Sequence, residues 1–155
     1  PVVQPLSPTS QGAGVEWRYT TAKPTENWLA SDFNDTAWPS GPGGFGEPST
    51  PGSVVRTPWK TSDIWLRRTF EVPAGFKPHS LQLLIHHDED AEVYVNGKPV
   101  ASFQRYTGAY DLAPLDTRIT QALRPGKNTL AVHCRQTTGG QYIDIGLVDV
   151  IDAEK

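Results

Sequence analysis

The densest run of reactive side chains in this 155-residue chain is His86-His87-Asp88-Glu89-Asp90, two imidazoles and three carboxylates in succession. Such groups are the material of metal ligation and of general acid–base work. Their spacing argues against both. Along an extended segment consecutive side chains face opposite ways, so His86 and His87 cannot grip one ion without a turn, and no HExxH or EF-hand spacing is present. A small metal-dependent hydrolase using His86, His87, Asp88 and Asp90 is thus the weakest reading of the run. An acidic turn whose Asp side chains hydrogen-bond their own backbone is the stronger one.

Other residues with chemical potential are scattered. Cys134 alternates with Leu130 and Val132 and falls on the apolar side of its segment, where a thiol behaves as a small inert hydrophobe. A lone cysteine forms no internal disulfide and leaves the redox compartment open. Asp144 stands opposite Ile143 and Ile145, and the expectation is a buried clamp with Arg67, Arg68 or Arg135. Among the aromatics, Trp59 lies in the turn-rich TPWKTS and is the best candidate for an exposed platform. Tyr106 and Tyr110, four apart in an irregular segment, suit either a sugar-stacking surface or a cap on a sheet edge. The glycines of GPGGFG lack the strand-then-helix context and the Gly-Lys-Ser/Thr of phosphate-binding loops, and read as turns.

The elements that must carry these residues are strands. Leu66, Phe70 and Val72 alternate with Trp65, Arg67 and Thr69, and Leu81, Leu83 and Ile85 recur at period two. Val93 and Val95 run into Asn96-Gly97, the dipeptide suited to the two positive φ angles of a type I′ hairpin. Further strands are predicted over Val15–Thr20, Lys98–Phe103, Leu130–Arg135 and Tyr142–Ile151, and one helical turn capped by Asp116 or Thr117 over Asp116–Leu123. Trp28, Phe33 and Trp38 punctuate a loop too rich in Asn, Asp, Pro and Gly for a long helix; they are expected as a satellite cluster beneath it. With 14 Gly and 14 Pro the chain is cut into short strands, the pattern of a sandwich or barrel.

Length fits one domain, able to bury about 68 to 70% of its unfolded surface. A formal charge of −3 excludes the basic face that nucleic-acid binding needs. No apolar run is long enough to span a membrane, and no secretory leader is recognisable. Residues 1–14, PVVQPLSPTSQGAG, lack periodicity and read as a linker-like segment ahead of a module over residues 15–152. The chain opens on Pro1 and has no methionine, which suggests an excised or processed piece.

Taken in order, W-x-Y at 17–19, FNDTAW, GPGGFG, DIWLRRTFEVP, LLIHHDEDAEVYVNGKPVA, LRPGKNTLAVHC and QYIDIGL resemble the galactose-binding-like jelly-roll modules, in particular the sugar-binding domain of family 2 glycoside hydrolases such as β-galactosidases and β-glucuronidases. The similarity covers residues 15–151. It implies an all-β, antiparallel β-sandwich that accompanies a carbohydrate hydrolase, extracellular or periplasmic, whose catalytic carboxylates lie on a separate barrel domain. The expected function is that of a non-catalytic carbohydrate-binding module; the alternative is an interaction module that only packs against the catalytic domain of the same parent chain. For sugar binding the expected residues are Trp59, Tyr106, Tyr110 and Tyr142 for stacking, with Asp88, Asp90 and Gln136 for hydroxyls. The expected partner is a poly- or oligosaccharide, with no nucleic acid and no membrane. No cofactor is expected, and a structural calcium ion in the acidic turn is left open.

Overall fold

A computed structural model describes residues 1–152 of the chain. Twelve strands make two sheets: β1 (Val2–Ser7), β2 (Glu16–Thr20), β3 (Ser40–Pro42), β4 (Phe45–Gly46), β5 (Thr57–Pro58), β6 (Asp63–Val72), β7 (Leu81–Asp88), β8 (Asp90–Val95), β9 (Lys98–Phe103), β10 (Asp111–Pro114), β11 (Gly126–Arg135) and β12 (Tyr142–Ile151). Sheet A runs β10-β7-β12-β4-β5, with β1 also paired to β12. Sheet B runs β3-β2-β6-β11-β8-β9. Pairing is antiparallel throughout except between β4 and β5. The expected antiparallel β-sandwich is the architecture observed.

Its core follows from the period-two pattern. Leu66, Phe70 and Val72 of β6, Val93 and Val95 of β8, and Leu130, Val132 and Cys134 of β11 face Leu81, Leu83 and Ile85 of β7 and Ile143, Ile145 and Leu147 of β12. The Asn96-Gly97 turn has φ of 51° and 79°, the two left-handed residues that close a twisted hairpin. Asn96 also donates to the Ala122 carbonyl and to Asn128 Oδ1, tying the hairpin to the short helix α1 (Thr117–Ala122), which Asp116 caps as expected.

Two expectations fail. Residues 2–7 are not linker: β1 pairs with β12 from Val2 opposite Ile151 to Ser7 opposite Leu147. Composition misleads there because Pro5 is tolerated on an edge strand, where a missing N–H costs no interior ladder bond. Nor does Asp144 clamp an arginine. Arg67 instead turns outward from sheet B, only 3% exposed, and binds Asp35 at 2.9 Å together with the carbonyls of Trp28, Ala30 and Phe33. Arg68 donates to Ser7 Oγ, and Arg135 lies 3.6 Å from Asp90. The Arg67 bonds fasten segment 25–38 over half of sheet B, where Trp28 packs with Trp65, Ala131, Phe33 and Trp38, the expected satellite cluster.

Candidate functional site

The ends of β7 and β11 and the start of β8 bring four loops to one end of the sandwich. Glu89, the single residue between β7 and β8, accepts from Thr137 Oγ1 at 2.5 Å and from the Thr138 N–H at 2.7 Å. Those two bonds hold its carboxyl below the usual carboxylate range. Thr50 Oγ1 exchanges hydrogen bonds with the backbone of Gln141, and Gln141 Nε2 donates to the Thr61 carbonyl. Thr107 and His87 are joined through the Thr107 hydroxyl and backbone. Loops 47–62, 88–90, 104–110 and 136–141 are thereby latched into one surface.

Asp88 lies in this surface and is 8% exposed. Among the described residues its carboxylate accepts no hydrogen bond, and burial followed by the Glu89 charge raises its pKa. A Cβ placed on Gly140 would lie 2.5 Å from Asp88 Oδ2, so the bare glycine backbone is what lets the carboxylate sit there. Tyr106 is bridged to Asp88 across the strand edge and is 68% exposed. Gln136 donates through Nε2 to the Gly139 carbonyl, while its Oε1 is buried without a partner. Asp90, at the rim, accepts from the Arg105 N–H. Asp88, Tyr106 and Gln136 are thus brought to the same end.

The remaining expected residues are corrected. Trp59 is 1% exposed, its indole N–H turned to the Asp63 carbonyl and Thr61 Oγ1, and it offers no face to a ligand. Tyr142 is fully buried on the outward side of sheet A, because residues 47–57 fold across it. Tyr110 is half-buried and its hydroxyl is already engaged, 2.5 Å from Tyr142 and 2.6 Å from Asp144. His86 and His87 face opposite sides of β7: His86 packs against Tyr110 and Tyr142, and His87 against Phe103. Among the described residues no group of three or more His, Cys, Asp or Glu side chains is placed to hold a metal ion.

Asp144 is the group sequence reasoning noticed but mispaired. Its oxygens accept from the Ser10 and Ile145 N–H groups and meet Tyr110 Oη, so it joins the N-terminal segment to the loop after β9. Tyr110 Oη donates to Asp144 and lies 2.5 Å from Tyr142 Oη, and Tyr142 donates to the Val54 carbonyl, so a chain of hydroxyl contacts runs from Asp144 to the loop that covers sheet A. Burial pushes the Asp144 pKa up to about 6, with the Tyr110, Ser10 and Ile145 hydrogen bonds opposing. The adjacent Tyr142 is pushed up to about 12, chiefly by burial.

A jelly-roll sandwich with a loop-built polar end is the class that this architecture defines. No family model matches the chain, and no curated protein matches it. Solved structures do share the fold. A β-glucuronidase of glycoside hydrolase family 2 aligns over 95% of this chain with TM-score 0.61 and 17% identity. Bacteroides uniformis β-glucuronidase aligns over 96% with TM-score 0.61 and 22% identity. Ruminococcus gnavus β-glucuronidase in complex with uronic isofagomine aligns over 96% with TM-score 0.59 and 15% identity. The chain spans 18% of the first two enzymes and 28% of the third. Likeness at this level is one of fold: this is the β-sandwich seen as one part of larger family 2 enzymes.

Proposed function

We propose that the chain is a non-catalytic module of a larger secreted glycoside hydrolase and that it contacts poly- or oligosaccharide through the end bearing Asp88, Tyr106 and Gln136. The observation that carries this reading is the Asp88 carboxylate, which accepts no hydrogen bond among the described residues and sits beside the exposed Tyr106 ring. A carboxylate with no partner in its own chain is free to accept from sugar hydroxyls, and charge-assisted bonds of that kind are the strong ones. Tyr106 then supplies an apolar face for the C–H side of a sugar ring, with Gln136 beneath the same surface. Calorimetric titration of the isolated chain with neutral oligosaccharides tests it. Asp88→Asn should weaken binding about ten-fold, the size of one charge-assisted hydrogen bond. The same change should leave the free chain as stable or more so, since the carboxylate makes no hydrogen bond among the described residues and stands beside the like charge of Glu89. Unchanged affinity in both Asp88→Asn and Tyr106→Ala would contradict the site.

A second reading rests on the opposite end of the sandwich. There Val72, Pro73, Phe76, Leu81, Leu123 and Pro125 line a mainly apolar groove of about 290 Å³. On this reading the module packs against the neighbouring catalytic domain and binds no free sugar. Coelution with that domain, expressed separately, in the absence of any oligosaccharide binding would favour it.

A further inference from the structure

Segment 25–38 covers only part of the outward face of sheet B, and the uncovered part is polar. The strand register sets Ser102, Glu92, His133 and Trp65 in one row across β9, β8, β11 and β6. Asp90, Arg135 and Asp63 form the next row toward the loop end. Between them lies a groove of about 260 Å³ lined by Asp90, Glu92, Ser102, Gln104, His133 and Arg135. This groove lies on the sheet's face and meets the loop surface around Asp88 at its rim, where Asp90 and Gln104 border both.

The groove is built rather than merely exposed, because its groups are held from outside it. His133 stacks on Trp65 with ring centroids 4.7 Å apart and planes within 3°, and its Nε2 lies 2.7 Å from Asp63 Oδ1. That contact places the Nε2 proton toward Asp63 and leaves Nδ1 as an acceptor in the neutral ring. Nδ1 is 3.8 Å from Glu92 Oε2, too far for a hydrogen bond. Glu92 is oriented by the Tyr94 hydroxyl at 3.0 Å, and Asp90 by the Arg105 N–H at 2.8 Å. Arg135 stands 3.6 Å from Asp90, which leaves most of its five donors unused. Supports of this kind fix a first layer of contacts before a ligand arrives.

We propose that this groove binds a neutral polyhydroxylated ring, a single sugar unit of an oligosaccharide, as a site separate from the Asp88 end. The charge pattern selects that class. Arg135 in the lining disfavours a divalent cation, and Asp90 with Glu92 disfavour an anion. Hydroxyl groups both donate and accept, so vicinal hydroxyls match carboxylates on one side and the guanidinium, Gln104 amide and Ser102 hydroxyl on the other. This proposal stands without the reading of the Asp88 end.

The test is an amide-resolved NMR titration of the whole chain with cellohexaose, xylohexaose and a β-galacto-oligosaccharide at millimolar concentration, and separately with calcium chloride. At least one oligosaccharide should move resonances of residues 90–92, 102–104 and 133–135. Arg135→Ala and Glu92→Gln, both at exposed positions, should each raise the dissociation constant for that movement about ten-fold, while Tyr106→Ala leaves it unchanged. Shifts confined to Asp88, Tyr106 and Gln136 would overturn the groove while sparing the loop site. No groove shift with any of the three sugars, or shifts with calcium alone, would also overturn it.

Discussion

The outward faces of the two sheets are closed by opposite charges. On sheet B one arginine, Arg67, reaches into segment 25–38 and takes Asp35 and three backbone carbonyls. On sheet A one carboxyl, Asp144, draws in Ser10, Ile145 and Tyr110. Both close a loop over a sheet, but they respond to burial differently. A guanidinium stays charged under nearly all conditions and offers five donors, and Arg67 places its bonds on Asp35 and three carbonyls. A carboxyl meets its burial by holding its proton to higher pH, and Asp144 is pushed up to about 6, so its charge is present at neutral pH and lost in mild acid. The pH response of this molecule should therefore be concentrated on one face.

Arg67 should carry the largest effect. Arg67→Ala strips a buried cation from Asp35 and leaves three carbonyls without their donor, and should cost about 4 kcal/mol in chemical denaturation. That loss should be nearly the same at mildly acidic and neutral pH. If it varies with pH as strongly as the Asp144 effect, the contrast between the faces is wrong.

Asp144 should show the next largest effect. Its folded pKa lies above the ordinary 3.8, so between about 4 and 6 the folded state holds more protons than the unfolded one. Its stabilisation is fully present below the lower value and is lost as pH rises through the upper. The contribution amounts to about 3 kcal/mol. Asp144→Asn, whose amide supplies the donor of the protonated acid, should flatten the stability difference between acidic and neutral pH relative to the parent chain.

Effects at the loop end should be smaller. Glu89 behaves in the reverse sense, since its pKa is lowered by Thr137 and Thr138: its bonds are made above the ordinary carboxylate value and weaken as pH falls. Glu89→Gln should cost about 1 kcal/mol and speed amide exchange in residues 136–141. Asp88→Asn should be neutral or stabilising by about 1 kcal/mol, the sign expected of a residue kept for binding rather than for the fold.

The sandwich was legible because its signals are local and periodic: Leu81-Leu83-Ile85 and Leu130-Val132-Cys134 announce a face, and Asn96-Gly97 a turn. The strand β1 was not, because Val2–Ser7 has no period of its own and is ordered only by pairing with β12. Aromatic exposure was the least legible feature. Trp59 and Tyr106 both occur in turn-rich stretches, yet one is buried and the other open, a difference decided by which loop folds across each. Asp144 stood out by its place on an apolar strand, while its partners Ser10 and Tyr110 lie 134 and 34 residues away. The His133–Asp63 pair and the Glu89 latch carried no sequence signal, since each joins loops or strands far apart in the chain.

Contact with carbohydrate through the Asp88 end is decided by affinity gel electrophoresis of the isolated chain on a panel of polysaccharides. Retardation is expected on at least one polymer, unaffected by chelator and lost in Tyr106→Ala. Equal mobility on every polymer would contradict it and leave packing against a neighbouring domain as the function of this sandwich.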